Sequence, residues 1–266
     1  MRALAVAWLL VACGSSSSPS SSSSSSSEST ARDDRREVKA KSEDGDDRKR
    51  EAKEVILAVN GHVIALKSQS SFGEYREVVQ TFTQQPEVVA AAPFIFAEVV
   101  AGKEGKTAPA LVKGFDAARN TRMLDRYVVR GTLHTIAADA APPAIVLGDA
   151  LADALGARMG DRIQLTLPIE PSDAGDGGVP RSATFLVGGI LHTGFEEYDQ
   201  RLALTGLAAM QRLEGRGDRA MGVEGFVRDP ATSDKVAKAI ETALGGAPYA
   251  VQDWFELNRA FFGTRD

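Results

Sequence analysis

Short apolar runs alternate with polar punctuation from residue 55 to residue 262, and their periods divide this stretch into strands and helices. Val55-Ile56-Leu57 and Val63-Ile64-Ala65-Leu66 flank Asn60-Gly61, which predicts strand with a bend or bulge. Tyr75, Val78, Val79 and Phe82 recur at i, i+3, i+4 and i+7, an amphipathic helix that stops before Pro86. Val88 to Val100 and Ala110 to Phe115 read as strands, completing a β-α-β-β unit.

In the middle of the chain Ile145-Val146-Leu147 predicts a strand. Asp149 to Leu155 predicts a short helix closed by Gly156 at the C′ position. Ile163, Leu165 and Leu167 alternate with Arg162, Gln164 and Thr166, the pattern of a half-buried strand, and Ala183 to Leu191 is its expected partner. Between them Pro168 to Ser182 is long and polar for a hairpin connection, so it should project from the body. The C-terminal part returns to α/β texture. Val223 to Val227 is a strand, Asp229-Pro230 has cap chemistry, and Val236, Ile240 and Leu244 line a helix ended by Gly245-Gly246. After a last strand at Tyr249 to Val251, Trp254, Leu257, Phe261 and Phe262 form an apolar helical face, either packed or poised for a partner.

The N-terminal residues have a different texture. Arg2 precedes an apolar run from Ala3 to Ala12, too short to span a bilayer but suited to the core of a secretory signal peptide. Leu10-Val11-Ala12-Cys13-Gly14 has the form of a bacterial lipobox, which makes Cys13 the expected site of acylation and membrane anchoring. Gly14, where aspartate would favour inner-membrane retention, tilts the expectation toward the outer membrane. Twelve of the thirteen residues from Ser15 to Ser27 are serine, a flexible tether. Ala31 to Glu54 holds nine basic and nine acidic residues, a spacer that forms a solvated helix or stays unfolded. As a coil, the roughly 40 residues after Cys13 would reach on the order of 35 Å. The expected organisation is therefore a signal peptide at 1–12, a tether at 13–54 and a folded head from about 55 to 262.

Composition narrows the function. A formal charge of −5 and a pI near 5.4 argue against a nucleic-acid partner. One cysteine excludes an internal disulfide and any cysteine-based zinc centre. His62, His134 and His192 lie far apart in sequence, each without the close second ligand of a zinc motif. No G-x-S-x-G elbow, Walker loop or dinucleotide fingerprint is present. Glu196, Glu197 and Asp199 beside Tyr198 offer carboxylates for acid/base work, but a loop cluster of this kind is expected to be solvated. We therefore read no catalytic, cofactor or metal site from the sequence, and no enzyme.

Several segments, taken in order, resemble the periplasmic core domain of lipoprotein-releasing ABC transporter permeases of the LolC and LolE type, a group that includes MacB-like exporters. They are Asn60-Gly61-His62-Val63, Ile145-Val146-Leu147-Gly148 with Leu151 and Leu155-Gly156, and Gly160 to Leu165. Thr193 to Asp199 running into Leu202-Ala203, then Val227 to Pro230 and Asp253 to Arg259, complete the set. The resemblance implies an α+β fold: a porter-like βαβ subdomain, 55–118 with 222–262, split by an inserted β-rich subdomain at 119–221. It also implies that the projection at 168–182 corresponds to a hairpin arm that docks a periplasmic lipoprotein chaperone in the family. Pro168, Pro171, Val179, Pro180 and Arg181 are then the candidate partner-binding residues, although an ordinary loop is the simpler reading of a tip this rich in Gly and Asp.

The departures from that family shape the expectation. A lipobox, serine run and charged spacer stand where the first transmembrane helix is expected, and the sequence ends at Asp266, where the second would begin. The expected role is a non-enzymatic, lipid-anchored, periplasm-facing envelope protein that binds a lipoprotein, a chaperone or a transporter subunit. Its rivals are a truncated remnant of such a permease, a hydrolase using Glu196 or Asp199, and a purely structural envelope lipoprotein.

Overall fold

The computed structural model describes residues 48–68, 71–116, 123–168 and 180–263. The expectations for Cys13, the serine tether, Pro171 and Val179 lie outside these residues.

A first helix, α1, covers residues 48–59 and is followed by β1 (Val63–Lys67), α2 (Tyr75–Thr83) and the long strands β2 (Val88–Lys103) and β3 (Lys106–Phe115). The strand expected at Val55-Ile56-Leu57 is instead the end of α1, with residues 55–59 all buried. A fully buried apolar run carries no period to separate the two states, and helical packing against the core decided it. β2 and β3 also extend beyond their predicted ends, meeting at a two-residue Glu104-Gly105 turn with both φ values positive.

The remaining strands are β4 (Val128–Gly131), β5 (Ala144–Gly148), β6 (Arg162–Leu167), β7 (Arg181–Leu191), β8 (Leu202–Gly206), β9 (Gly222–Val227) and β10 (Tyr249–Asp253). Between them lie α3 (Asp149–Leu155), α4 (Glu196–Arg201), α5 (Leu207–Glu214) and α6 (Ser233–Ala243). The short helices α7 (Trp254–Leu257) and α8 (Arg259–Phe262) follow β10. Gly156 ends α3 in the left-handed conformation, with φ 63°, as its position predicts.

The strands join in the order β10-β1-β9-β2-β3-β8-β5-β7-β4, with β6 pairing both β7 and β2. Two units share this sheet. Antiparallel β10, β1, β9 and β2, with α2 and α6, make a split β-α-β arrangement of the ferredoxin-like type. Its helices cover one face through Val78, Phe82, Val236 and Ile240, which pack on Val63, Ala65 and Val223. The alternate residue Ile64 points to the other face, where it meets Val55, Ile56 and Val59 of α1.

The second unit is a ring. The pairings β2–β3, β3–β8, β8–β5, β5–β7, β7–β6 and β6–β2 close on themselves. β2, sixteen residues or roughly 50 Å long, is shared by both units. Inside the ring Ile95, Val99, Ile145, Ile163, Phe185 and Val187 pack with Leu151 and Leu155 of α3 and Met210 of α5. The alternation predicted for β6 holds: Ile163 and Leu165 are buried, whereas Arg162 and Gln164 are exposed. Closure leaves β6 with no free edge where it meets β2.

Candidate functional site

β6 and β7, which flank the connection expected to project, pair in register from Arg162↔Leu186 to Leu167↔Arg181. Thr166 Oγ1 and Ser182 Oγ share a hydrogen bond of 2.9 Å across it. Pro168 and Pro180, where the chain leaves and re-enters this ladder, are exposed. Arg181 is exposed too, and its guanidinium donates to the Glu214 carbonyl at the C-terminal end of α5, where a cation suits the helix dipole. Of the five candidate partner-binding residues, three therefore sit together at the end of this ladder, and Arg181 braces it against the ring.

At the other end of β7 the chain enters Thr193-Gly194-Phe195-Glu196-Glu197-Tyr198-Asp199. Asp199, expected to be solvated, is buried. Its Oδ1 accepts from Thr193 N–H and Thr193 Oγ1, each at 2.7 Å, and its Oδ2 from Gly194 N–H at 3.0 Å. The carboxylate holds the turn. Glu196 is exposed and accepts from Gln200 Nε2 at 2.6 Å. Tyr198 is buried against Phe195 and accepts from Asn60 Nδ2 at 3.0 Å; burial pushes its phenol up.

The three histidines separate once the chain is folded. His62 is buried with Nδ1 accepting from Val227 N–H at 3.1 Å, and burial pulls its pKa down. His134 is exposed. His192, with no close ligand partner along the sequence, meets two carboxylates in the fold: Nδ1 lies 2.7 Å from Asp149 Oδ2 and 3.4 Å from Asp199 Oδ2. The sequence hides this cluster because Asp149 is 43 residues from His192.

A second feature that sequence reading missed joins α1 to both units. Lys113 of β3 and Glu224 of β9 are each 1% exposed, with Nζ 2.7 Å from Oε2. Lys113 also donates to the Val59 carbonyl at the end of α1, 2.6 Å away, and Glu224 accepts from Gly61 N–H at 2.7 Å. Burial lowers the Lys113 pKa while the Glu224 charge opposes the fall. A Cβ on Gly61 would lie 2.5 Å from Glu224 Cβ, so the Asn60-Gly61-His62 motif is a place of close backbone approach. Across the same junction Lys53 of α1 lies 5.0 Å above the Trp254 ring.

A cleft of about 610 Å³ opens between α2 and α5, lined by Val79, Phe115, Ile136 and Leu207 with Arg76 and Arg212 at its rim. It contains neither Glu196 nor Asp199. No described helix is long and apolar enough to cross a membrane. A ferredoxin-like unit joined to a closed ring of strands defines an α+β fold.

That scaffold has relatives. The chain belongs to the MacB-like periplasmic core domain family, whose profile matches residues 22–243, and so is a periplasm-facing domain of the cell envelope. It is 27% identical over 218 residues to the lipoprotein-releasing system transmembrane protein LolC of Xylella fastidiosa strain Temecula1, covering 81% of this chain and 51% of that one. The protein of the same name from Neisseria meningitidis is 23% identical over 71% of this chain and 45% of its own. The chain thus spans about half the length of these relatives. The periplasmic region of MacB from Actinobacillus actinomycetemcomitans is 11% identical with a TM-score of 0.49, covering 78% of this chain and 96% of that one.

Proposed function

We propose that this chain is a non-enzymatic envelope lipoprotein, anchored through Cys13, that binds a lipoprotein, a periplasmic lipoprotein chaperone or a transporter subunit during lipoprotein release. The family match over residues 22–243 carries the reading, and the named relatives of a lipoprotein-releasing system support it. In this reading 55–118 with 222–262 form the porter-like subdomain and 119–221 the inserted one. The connection 168–182, whose ends pair in β6 and β7, serves as the docking arm.

Two experiments test it. Metabolic palmitate labelling with membrane fractionation should label the wild type in the membrane and leave Cys13→Ala unlabelled; an unlabelled wild type removes the anchor. Replacing 169–179 by a short Gly/Ser linker, with a photo-crosslinker at Pro180, should abolish chaperone capture without lowering the melting temperature. Capture that survives the replacement refutes the arm.

A further inference from the structure

We propose that Asp149, His192 and Asp199 bind one divalent transition-metal ion of the zinc or manganese class. The site goes beyond the lipoprotein-release reading and does not depend on it.

The topology builds the cluster. β5 and β7 are parallel neighbours with Gly148 opposite Leu191, so the next residue of each strand, Asp149 and His192, leaves the sheet side by side. The first turn of α4 then brings in Asp199 from beneath. Its carbonyl lies 2.3 Å from where a Gly148 Cβ would stand, an approach only glycine allows. One ligand atom from each of Asp149, His192 and Asp199 lies within 4.8 Å of the other two. An ion with bonds of roughly 2.0–2.2 Å places tetrahedral ligand atoms about 3.4 Å apart. The separations from His192 of 2.7 and 3.4 Å are within a small side-chain adjustment of that spacing.

The outer atoms are already held. Asp149 Oδ1 accepts from Ala150 N–H at 2.7 Å and Asp199 Oδ1 from Thr193 N–H and Oγ1, while Asp199 Oδ2, the ligand atom, also accepts from Gly194 N–H at 3.0 Å. Supports of this kind orient ligating carboxylates and tune metal affinity. Charge points the same way. The Asp199 side chain is 7% exposed and lies close to a second carboxylate, and among the described residues the His192 imidazole is the basic side chain within 4 Å of either. A divalent ion would add positive charge beside two carboxylates. One imidazole nitrogen and two carboxylate oxygens suit zinc or manganese, and supply too few oxygens for calcium. His192 is 55% exposed, so the open side of the site admits the ion and its remaining water ligands.

The test is a calorimetric titration of the metal-freed full-length chain with Zn²⁺, paired with thermal melts and imidazole NMR. Expected are one saturable site, a higher melting temperature with zinc, and His192 ring resonances that shift. His192→Ala and Asp149→Asn should each weaken binding at least ~10-fold, the smallest loss seen even for supporting residues. Absence of saturable binding overturns the proposal, as does binding unchanged in both variants, which would leave His192 and Asp149 a hydrogen-bonded pair only. If a variant unfolds, the wild-type spectrum decides: His192 resonances unmoved at saturating zinc refute the site.

Discussion

Replacing Lys113 with methionine tests how α1 is fastened to the head. The side chain is buried among Phe94, Phe96 and Phe115, its Nζ 5.4–5.7 Å from their ring centres, and donates to Glu224 and to the Val59 carbonyl. Methionine keeps the stem and its apolar contacts but removes both donations. Glu224 then stays buried without its counter-charge, with Oε1 already lacking a partner, and the last turn of α1 loses a donor. Removing one member of such a pair costs about 3–5 kcal/mol. For a domain of this size that is a fall of roughly 6–20 °C in melting temperature. Urea unfolding of the full chain, followed by far-UV circular dichroism, measures it as a lower midpoint at constant slope. In the double variant Lys113→Met/Glu224→Gln, the amide still accepts from Gly61 N–H and carries no charge. It should therefore be more stable than the single-variant costs sum to, by about 0.5–3 kcal/mol. A single-variant cost below about 1 kcal/mol, or strict additivity in the cycle, would refute this account of the junction.

Three further outcomes follow from the same geometry. Gly148→Ala drives a Cβ to 2.3 Å from the Asp199 carbonyl, so stability should fall by about 1–3 kcal/mol in the same urea assay. Asp253 caps α7 by accepting from Glu256 N–H at 2.7 Å and also accepts from Ser233 Oγ at 3.2 Å; Asp253→Ala should cost about 1–2 kcal/mol. The Lys67 ammonium, followed by local backbone and Tyr249 hydrogen bonding, holds Glu74 at about 2 against its ordinary 4.5. Because the folded value is depressed, this stabilisation is full above pH 4.5 and is lost as the pH falls toward 2. Glu74→Gln should flatten the stability profile in that window while costing under about 1 kcal/mol at pH 7, since the pair is one-third exposed.

Local chemistry was legible in the sequence. The helix from Tyr75, the short helix stopped by Gly156, the alternation through Ile163 and Leu165 and the cap at Asp229 each depend on residues within one or two turns of each other, and each stands in the structure. The family was legible in the sequence too. Residues 55–57 were misread because a run of uniformly buried apolar residues looks alike in helix and strand. Asp199 was misread as solvated because a loop carboxylate looks exposed until the amides it caps are in place.

The amino-acid sequence by itself determined the α+β class, the position of most strands and helices, and the family. The elements follow from periodicity and turn residues, and the class and family from the resemblance that the ordered motifs carry. Tertiary structure alone decided that six strands close into a ring sharing β2 with a ferredoxin-like unit. It alone buried Lys113 against Glu224, 111 residues away, and set His192 between Asp149 and Asp199. Such neighbours are made by strand register and helix packing between distant segments, and spacing along the chain carries no record of them.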